Sequence, residues 1–242
     1  MTAAATLATL DAPLLELRAM RAAYGQIEVV HGVDLAVPAG TVVAILGPNG
    51  AGKSTTLKVC AGLMPPSGGD YLLAGRRVNG AKPDDLARAG LCLIPEGKGI
   101  FPNLTVRENL LMATHTGVTM HHVEEVAYHR FPRLGERRKQ LAGTMSGGEQ
   151  QMLAMARGLA TDPKLLLLDE LSMGLAPIIV EELYEIVGQI ARDGMSILVV
   201  EQFAQTVLGV ADLAAIMVHG RIDKVGAPAE LAAELSAAYL GG

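Results

Sequence analysis

Residues 47–55 read Gly47-Pro48-Asn49-Gly50-Ala51-Gly52-Lys53-Ser54-Thr55, matching the spacing G-x-x-x-x-G-K-[ST] of a phosphate-binding loop. The context agrees: the apolar run "TVVAIL" precedes the loop and a helix-forming segment follows it. Glycines at these places let backbone N–H groups turn toward phosphate oxygens at the positive end of a helix dipole. In such a loop Lys53 pairs with the β- and γ-phosphates of a nucleotide, and the Ser54 hydroxyl ligates Mg²⁺.

Two further groups could serve the same chemistry. In "KLLLLDE" the four leucines read as a buried parallel strand that delivers Asp169 and Glu170 at its C-terminal end, where open α/β sheets place their ligands. Asp169 suits a metal ligand and Glu170 suits polarising an attacking water; phosphoryl transfer calls for both. Adjacent carboxylates are also common where a strand simply surfaces into a loop, and it is the upstream phosphate loop that gives this pair its chemical reading. The other group is Ser146-Gly147-Gly148-Glu149-Gln150, which puts a second pair of glycines in front of a long helix. Taken alone it is an ordinary helix N-cap.

These residues need a scaffold, and the chain supplies one. Strands are predicted at "LLELRAM", "IEVVHGVDLAV" and "TVVAIL", followed by a helix over 53–62, a turn at "MPPSGG", a strand "YLLAG", a helix over 83–89 and the strand "LCLIP". From 97 to 158 the pattern changes to charged, helix-like segments, "VRENLLMAT", "HHVEEVAYHR" and "RLGERRKQL", with breaks at Gly117, Pro132 and Gly143. Then "KLLLLDE", a helix over 178–192, "SILVVE", a helix over 203–211 and "LAAIMV" restore a strand–helix–strand rhythm. The end, "PAELAAELSAAYL", reads as a closing amphipathic helix, and residues 1–12 as a short mobile tail. The expectation is an α/β fold with a mostly parallel sheet, an N-terminal antiparallel β region and an inserted helical subdomain at about 97–158, all within one domain over 13–242.

Composition narrows the partners. The 242 residues carry 20 Lys+Arg against 25 Asp+Glu, without the basic excess of a sequence-independent nucleic-acid binder, so no nucleic-acid partner is expected. Half the residues are hydrophobic but only 3% are aromatic, which suits a core of aliphatic parallel strands. Despite the apolar balance, no uninterrupted run reaches the roughly 18 residues that span a bilayer. The first residues lack a basic n-region and read as no secretory signal. The two cysteines, Cys60 and Cys92, fall in a predicted helix and strand and fit buried reduced thiols of a cytosolic protein. The six histidines show no metal-ligand spacing: His121 and His122 lie among charged helical residues, and His219 precedes a turn.

With these motifs in this order, the chain resembles the ATP-binding subunits of ABC transporters over nearly its whole length. Residues 146–150 are similar to that family's LSGGQ loop, with Met145 in the leading Leu position. The resemblance implies a P-loop nucleoside-triphosphatase core in which this second loop, Ser146 to Glu149, meets the γ-phosphate of ATP held by an opposite subunit in a head-to-tail dimer. Tyr24 matches the aromatic that stacks on adenine, and residues 172–177, "SMGLAP", match the D-loop that touches the other subunit. Leu171 stands where a proline is common, which implies the same placement with a less rigid turn.

Two departures narrow the subfamily. Glu96 replaces the usual Q-loop glutamine and Gln202 the usual switch histidine, a combination that resembles the ATPases of branched-chain amino-acid importers. The resemblance implies ATP and Mg²⁺, with Glu170, Gln202 and Glu96 in hydrolysis and Ser54, Asp169 and Glu96 around the metal. It also implies transmembrane permease subunits, a second cassette, indirectly an extracytoplasmic solute-binding protein, and a cytoplasmic place on the inner face of the membrane. Residues 97–104, with Ile100 and Phe101, are expected to form part of the groove that receives the membrane domain, the alternative being that these apolar residues pack against the inserted helices. A soluble ABC ATPase acting on ribosomes or DNA would carry two fused cassettes or a long coiled coil, and a P-loop kinase would leave the second glycine loop without a use. Importers of urea or short amides share the same pattern.

Overall fold

The structure, a computed structural model, describes residues 13–97, 99–202 and 204–232. The expected tail over 1–12 lies outside the described residues, as does most of the closing helix, whose first turns are helical from 228 to 232.

Two sheets organise the chain. Strands β1 (Leu15–Tyr24), β2 (Ile27–Val37), β4 (Gly68–Leu73) and β5 (Arg76–Arg77) form an antiparallel sheet in the order β2-β1-β4-β5. Strands β3 (Val42–Leu46), β6 (Leu91–Ile94), β7 (Leu165–Asp169), β8 (Ser196–Glu201), β9 (Leu213–Val218) and β10 (Arg221–Gly226) form the second, in the order β10-β9-β3-β8-β7-β6. From β9 to β6 it is parallel; only β10 runs back along β9.

Why the central strands are apolar at every position follows from what covers them. Val43 and Ile45 of β3, Leu165 and Leu167 of β7, and Leu198 and Val200 of β8 pack into a core shared with the antiparallel sheet. Their alternates, Val42, Ala44 and Leu46, Leu166 and Leu168, Ile197 and Val199, enter the core beneath the helices. A strand's side chains alternate between faces, and with both faces covered neither set can be polar. Each fully buried leucine contributes roughly 1.5–3 kcal/mol.

The helices are α1 (Lys53–Cys60), α2 (Pro83–Arg88), α3 (Val106–Leu111), α4 (Met120–Arg130), α5 (Pro132–Glu136), α6 (Gly147–Leu159), α7 (Pro177–Arg192) and α8 (Ala204–Leu208). Between β6 and β7 the chain is helical, as its charged segments predict. Apolar residues of α3 to α6, among them Leu110, Val123, Leu134 and Met152, join the same core as one face of the parallel sheet.

Three expectations need correction. The helix read over "RLGERRKQL" stops at Glu136; the break read at Pro132 is there, between α4 and α5, with the proline in the first turn of α5 where its missing N–H is harmless. The strand read at "YLLAG" begins earlier, at Gly68. The turn at His219 and Gly220, both at positive φ, is the tip of a β9–β10 hairpin whose second strand the alternation did not reveal.

Candidate active site

The register of the parallel sheet aligns the C-terminal ends of four strands. Leu46 lies opposite Glu201, Asp169 opposite Val200 and Ile94 opposite Leu168. The phosphate loop, the 169–170 carboxylates, Gln202 and the turn bearing Glu96 therefore leave the sheet along one edge, as ligand sites of open α/β sheets do.

The loop is built to receive anions. Gly52 caps α1 at φ +102°, a backbone conformation that L side chains avoid, and no side chain caps the helix N-terminus. The first N–H groups of α1 are thus left for a ligand. Lys53, only 3% exposed, donates to the carbonyls of Gly47 (3.0 Å) and Pro48 (3.2 Å) and pairs with Glu170 at 3.3 Å. Its ammonium is held over the loop by three oxygens.

Ser54 Oγ donates to Asp169 Oδ1 at 2.9 Å, so a hydroxyl and a carboxylate meet at one point. Burial raises the Asp169 pKa above the ordinary carboxylate value, Ser54 opposes that rise, and the charges of Glu170 and Glu96 add to it. Glu96 is thereby placed in electrostatic reach of Asp169 from the exposed turn after β6. A hard divalent cation would fit this crowd of oxygens, since Mg²⁺ binds one or two protein ligands together with substrate phosphates. The residues present suit that ion.

Glu170 itself stands at φ +46°, and its N–H donates to Val200 O at 3.0 Å. Gln202 follows at the half-buried end of β8. Tyr24, at the end of β1 and 46% exposed, is held against α1: the phenol oxygen accepts from Lys58 Nζ at 3.4 Å. The hydrogen bond with Thr55 and that with Lys58 lower its pKa below the usual phenol value. An open aromatic face therefore borders the phosphate loop, as base stacking needs.

The second glycine loop is elsewhere engaged. Ser146 and Glu149 form a capping box at the start of α6: the Ser146 N–H donates to Glu149 Oε2 at 2.9 Å, and Glu149 N–H donates to Ser146 Oγ at 3.3 Å. Arg137 pairs with Glu149 at 3.2 Å. Burial alone would raise the Glu149 pKa, but the Ser146 bonds and the two nearby arginines outweigh it and hold it low. Glu149 thus turns inward to the cap and Arg137, while Ser146 stays exposed. Gly148 packs so closely on α7 that a Cβ there would lie 2.2 Å from Ile179 Cγ2. Gly148→Ala should accordingly destabilise the fold by about 1–3 kcal/mol, the cost of overpacked sites, and so lower the thermal unfolding midpoint. An unchanged midpoint would mean that Ile179 yields without strain.

Sequence reasoning missed Glu201. It closes the apolar strand "SILVVE" and is 1% exposed, accepting from the Ser172 N–H (3.0 Å), Ser172 Oγ (2.7 Å) and Tyr184 OH (2.7 Å). A charged residue at the end of a strand flanked on both sides was the signal. Asn109 was missed too: fully buried, it accepts from Phe101 N–H at 2.8 Å and donates to the carbonyls of Phe101, Leu104 and Thr105, fixing the 101–105 loop.

Known proteins share this chain's sequence and fold over most of its length. The family model described as ABC transporter matches residues 30–172. BraG of Pseudomonas aeruginosa, a high-affinity branched-chain amino acid transport ATP-binding protein, is 43% identical over 227 residues, covering 90% of this chain and 96% of its own. LivF of Archaeoglobus fulgidus, a probable branched-chain amino acid transport ATP-binding protein, is 36% identical, covering 88% and 91%. In fold, the chain matches the ADP conformation of an ABC transporter's ATP-binding cassette with a TM-score of 0.83 at 24% identity, over 95% of this chain and 99% of that one. The family match over most of the chain's length and relatives of this closeness place the chain in the ABC transporter family, among its ATP-hydrolysing ATP-binding proteins.

Proposed function

We propose that the chain is the ATPase subunit of an importer for branched-chain or related amino acids, working as a head-to-tail pair with a second cassette of the same or a paralogous sequence. The observation that carries this reading is the division of labour between the two glycine loops. Around residues 47–55 stand Asp169, Glu170 and Tyr24, with Glu170 paired to the loop's Lys53, whereas Ser146 and Glu149 bond to each other and Glu149 to Arg137, with Ser146 exposed at the start of α6. A loop so presented suits a nucleotide held by another chain.

In this reading the N–H groups of α1 and Lys53 bind the phosphates of ATP, and Tyr24 stacks on the base. Ser54 and Asp169 hold Mg²⁺, with Glu96 beside them; the ion, when bound, neutralises charge on the phosphate oxygens. Glu170 orients and polarises the water that attacks the γ-phosphate. Gln202, a neutral donor at the neighbouring strand end, senses that phosphate.

The chain acts from the cytoplasmic face, where it drives transmembrane permeases that receive cargo from an extracytoplasmic binding protein. Among the described residues no helix is long and apolar enough to cross a membrane. Phe101, Leu111, Met112 and Leu141 are large apolar side chains left about half exposed, and they suit the membrane subunits as a docking patch. Arg157 stiffens it, donating to the Gly99 carbonyl and lying over the Phe101 ring at 5.2 Å.

The reading is tested by reconstituting the chain with candidate permease subunits and a solute-binding protein from the same organism. Uptake of labelled leucine into vesicles should require ATP on the cassette side and vanish with Lys53→Ala. Uptake that persists in that variant, or ATP turnover indifferent to the permeases, would rule the reading out.

A further inference from the structure

The turn at 170–172 is bonded to β8, while the Glu170 side chain pairs with Lys53 of α1. Glu170 donates its N–H to Val200 O, and Ser172 donates both its N–H and its hydroxyl to the two carboxylate oxygens of Glu201. Tyr184, buried on α7, donates its hydroxyl to Glu201 Oε1 at 2.7 Å. Among the described residues no cationic side chain pairs with Glu201. A carboxylate sunk this deeply without a cation is unfavourable compared with an apolar side chain of the same size. Three donors aimed at it make it tolerable, and they define where the turn must sit.

That turn has something to hold. Glu170 occupies the left-handed region, which a side chain bearing a Cβ resists and which persists only where the surroundings fix it. The next residue is Leu171, which fills the core but does not restrict φ as a proline would. Restraint has to come from outside the turn.

We propose that Glu201 is a positioning residue: braced by Tyr184, its buried carboxylate clamps Ser172 and so keeps Glu170 in the backbone conformation that sets its side chain against Lys53. The proposal rests on the reading of Glu170 as the water-orienting group.

The test compares Glu201→Gln, Tyr184→Phe, Glu170→Gln and the Glu170→Gln/Glu201→Gln double variant in the assembled transporter, measuring kcat and KM for ATP per titrated nucleotide site. Glutamine keeps the size of Glu201 but turns one acceptor into a donor facing donors. Glu201→Gln should lower kcat about tenfold with KM unchanged, on the scale of a misplaced catalytic group. Tyr184→Phe should lower it less, since Ser172 keeps its anchors. The double variant should be no slower than Glu170→Gln, because Glu201 acts only through Glu170. A Glu201 that merely stabilises the fold would reduce the unfolding midpoint and leave kcat per site untouched. If Glu170→Gln is slow while Glu201→Gln and Tyr184→Phe turn over normally, the clamp is wrong and the role of Glu170 stands. Losses that multiply in the double variant also overturn the clamp. A wild-type rate in Glu170→Gln removes the role of Glu170 and the clamp with it. Should Glu201→Gln not fold, Ser172→Ala beside Tyr184→Phe makes the same comparison, and normal kcat in both overturns the proposal.

Discussion

Glu170→Gln should leave ATP bound and slow its turnover by about 10²-fold or more, the scale of losing one preorganised transition-state group. The carboxylate sits at the C-terminal edge of the sheet and pairs with Lys53 at 3.3 Å, with 11% of the Glu170 side chain exposed. Glutamine fits the same space yet cannot take up a proton from water or polarise it as an anion does. Affinity should not suffer. Lys53 keeps its bonds to the Gly47 and Pro48 carbonyls in the variant, so the ammonium is not orphaned. It is also released from a carboxylate that competes with phosphate for it, which should hold affinity constant or tighten it. Equilibrium nucleotide binding and steady-state turnover in the assembled transporter separate the two effects. A normal rate would show that another group orients the water.

The motifs were legible because each is local. Seven residues from Gly47 to Lys53 specify a loop geometry through glycine conformations and a helix dipole, and nothing remote is needed to recognise it. The central strands were legible for a related reason: "LLLL" before Asp169 admits no polar face, so it had to be covered on both sides, as its division between two cores bears out. What could not be read locally is what depends on tertiary partners. The edge strand β10 carries exposed Arg221, Asp223 and Lys224 and half-buried neighbours, so its pattern resembles a loop until β9 is placed beside it. Glu201 was hidden by being charged where only burial gives it meaning, since Ser172 and Tyr184 reach it from 29 and 17 residues away. The segment after α5 looked helical by its charge pattern, but Arg137 is spent on Glu149 of the capping box and Arg138 on the Gly135 carbonyl and the Tyr128 ring. Tertiary bonds there outweigh helix propensity.

The proposed sharing of nucleotide between chains predicts the other large effect. Gly147→Asp should leave ATP affinity of the single chain unchanged and abolish ATP-dependent pairing. Gly147 is the first residue of α6, where a carboxylate complements the helix dipole and stabilises it by about 0.3–1 kcal/mol, so the variant chain should fold at least as well. Its own phosphate loop, on α1, is untouched. In the pair, however, the new carboxylate would face the γ-phosphate held by the other chain, and two like charges in a water-poor interface repel strongly. Pairing is read by mass in solution with the Glu170→Gln change present in every chain to preserve ATP. Thiol crosslinking locates the contact: chains carrying Asn49→Cys are mixed with chains carrying Ser146→Cys. The native thiols should not interfere, because burial pushes Cys60 up to about 12 and Cys92 up to about 11, far from forming thiolates at neutral pH. A bond joining the two kinds of chain in ATP is the expected product. If instead the cysteines join only when both lie on one chain, the second glycine loop serves its own nucleotide, and Gly147→Asp would then weaken ATP binding in the single chain.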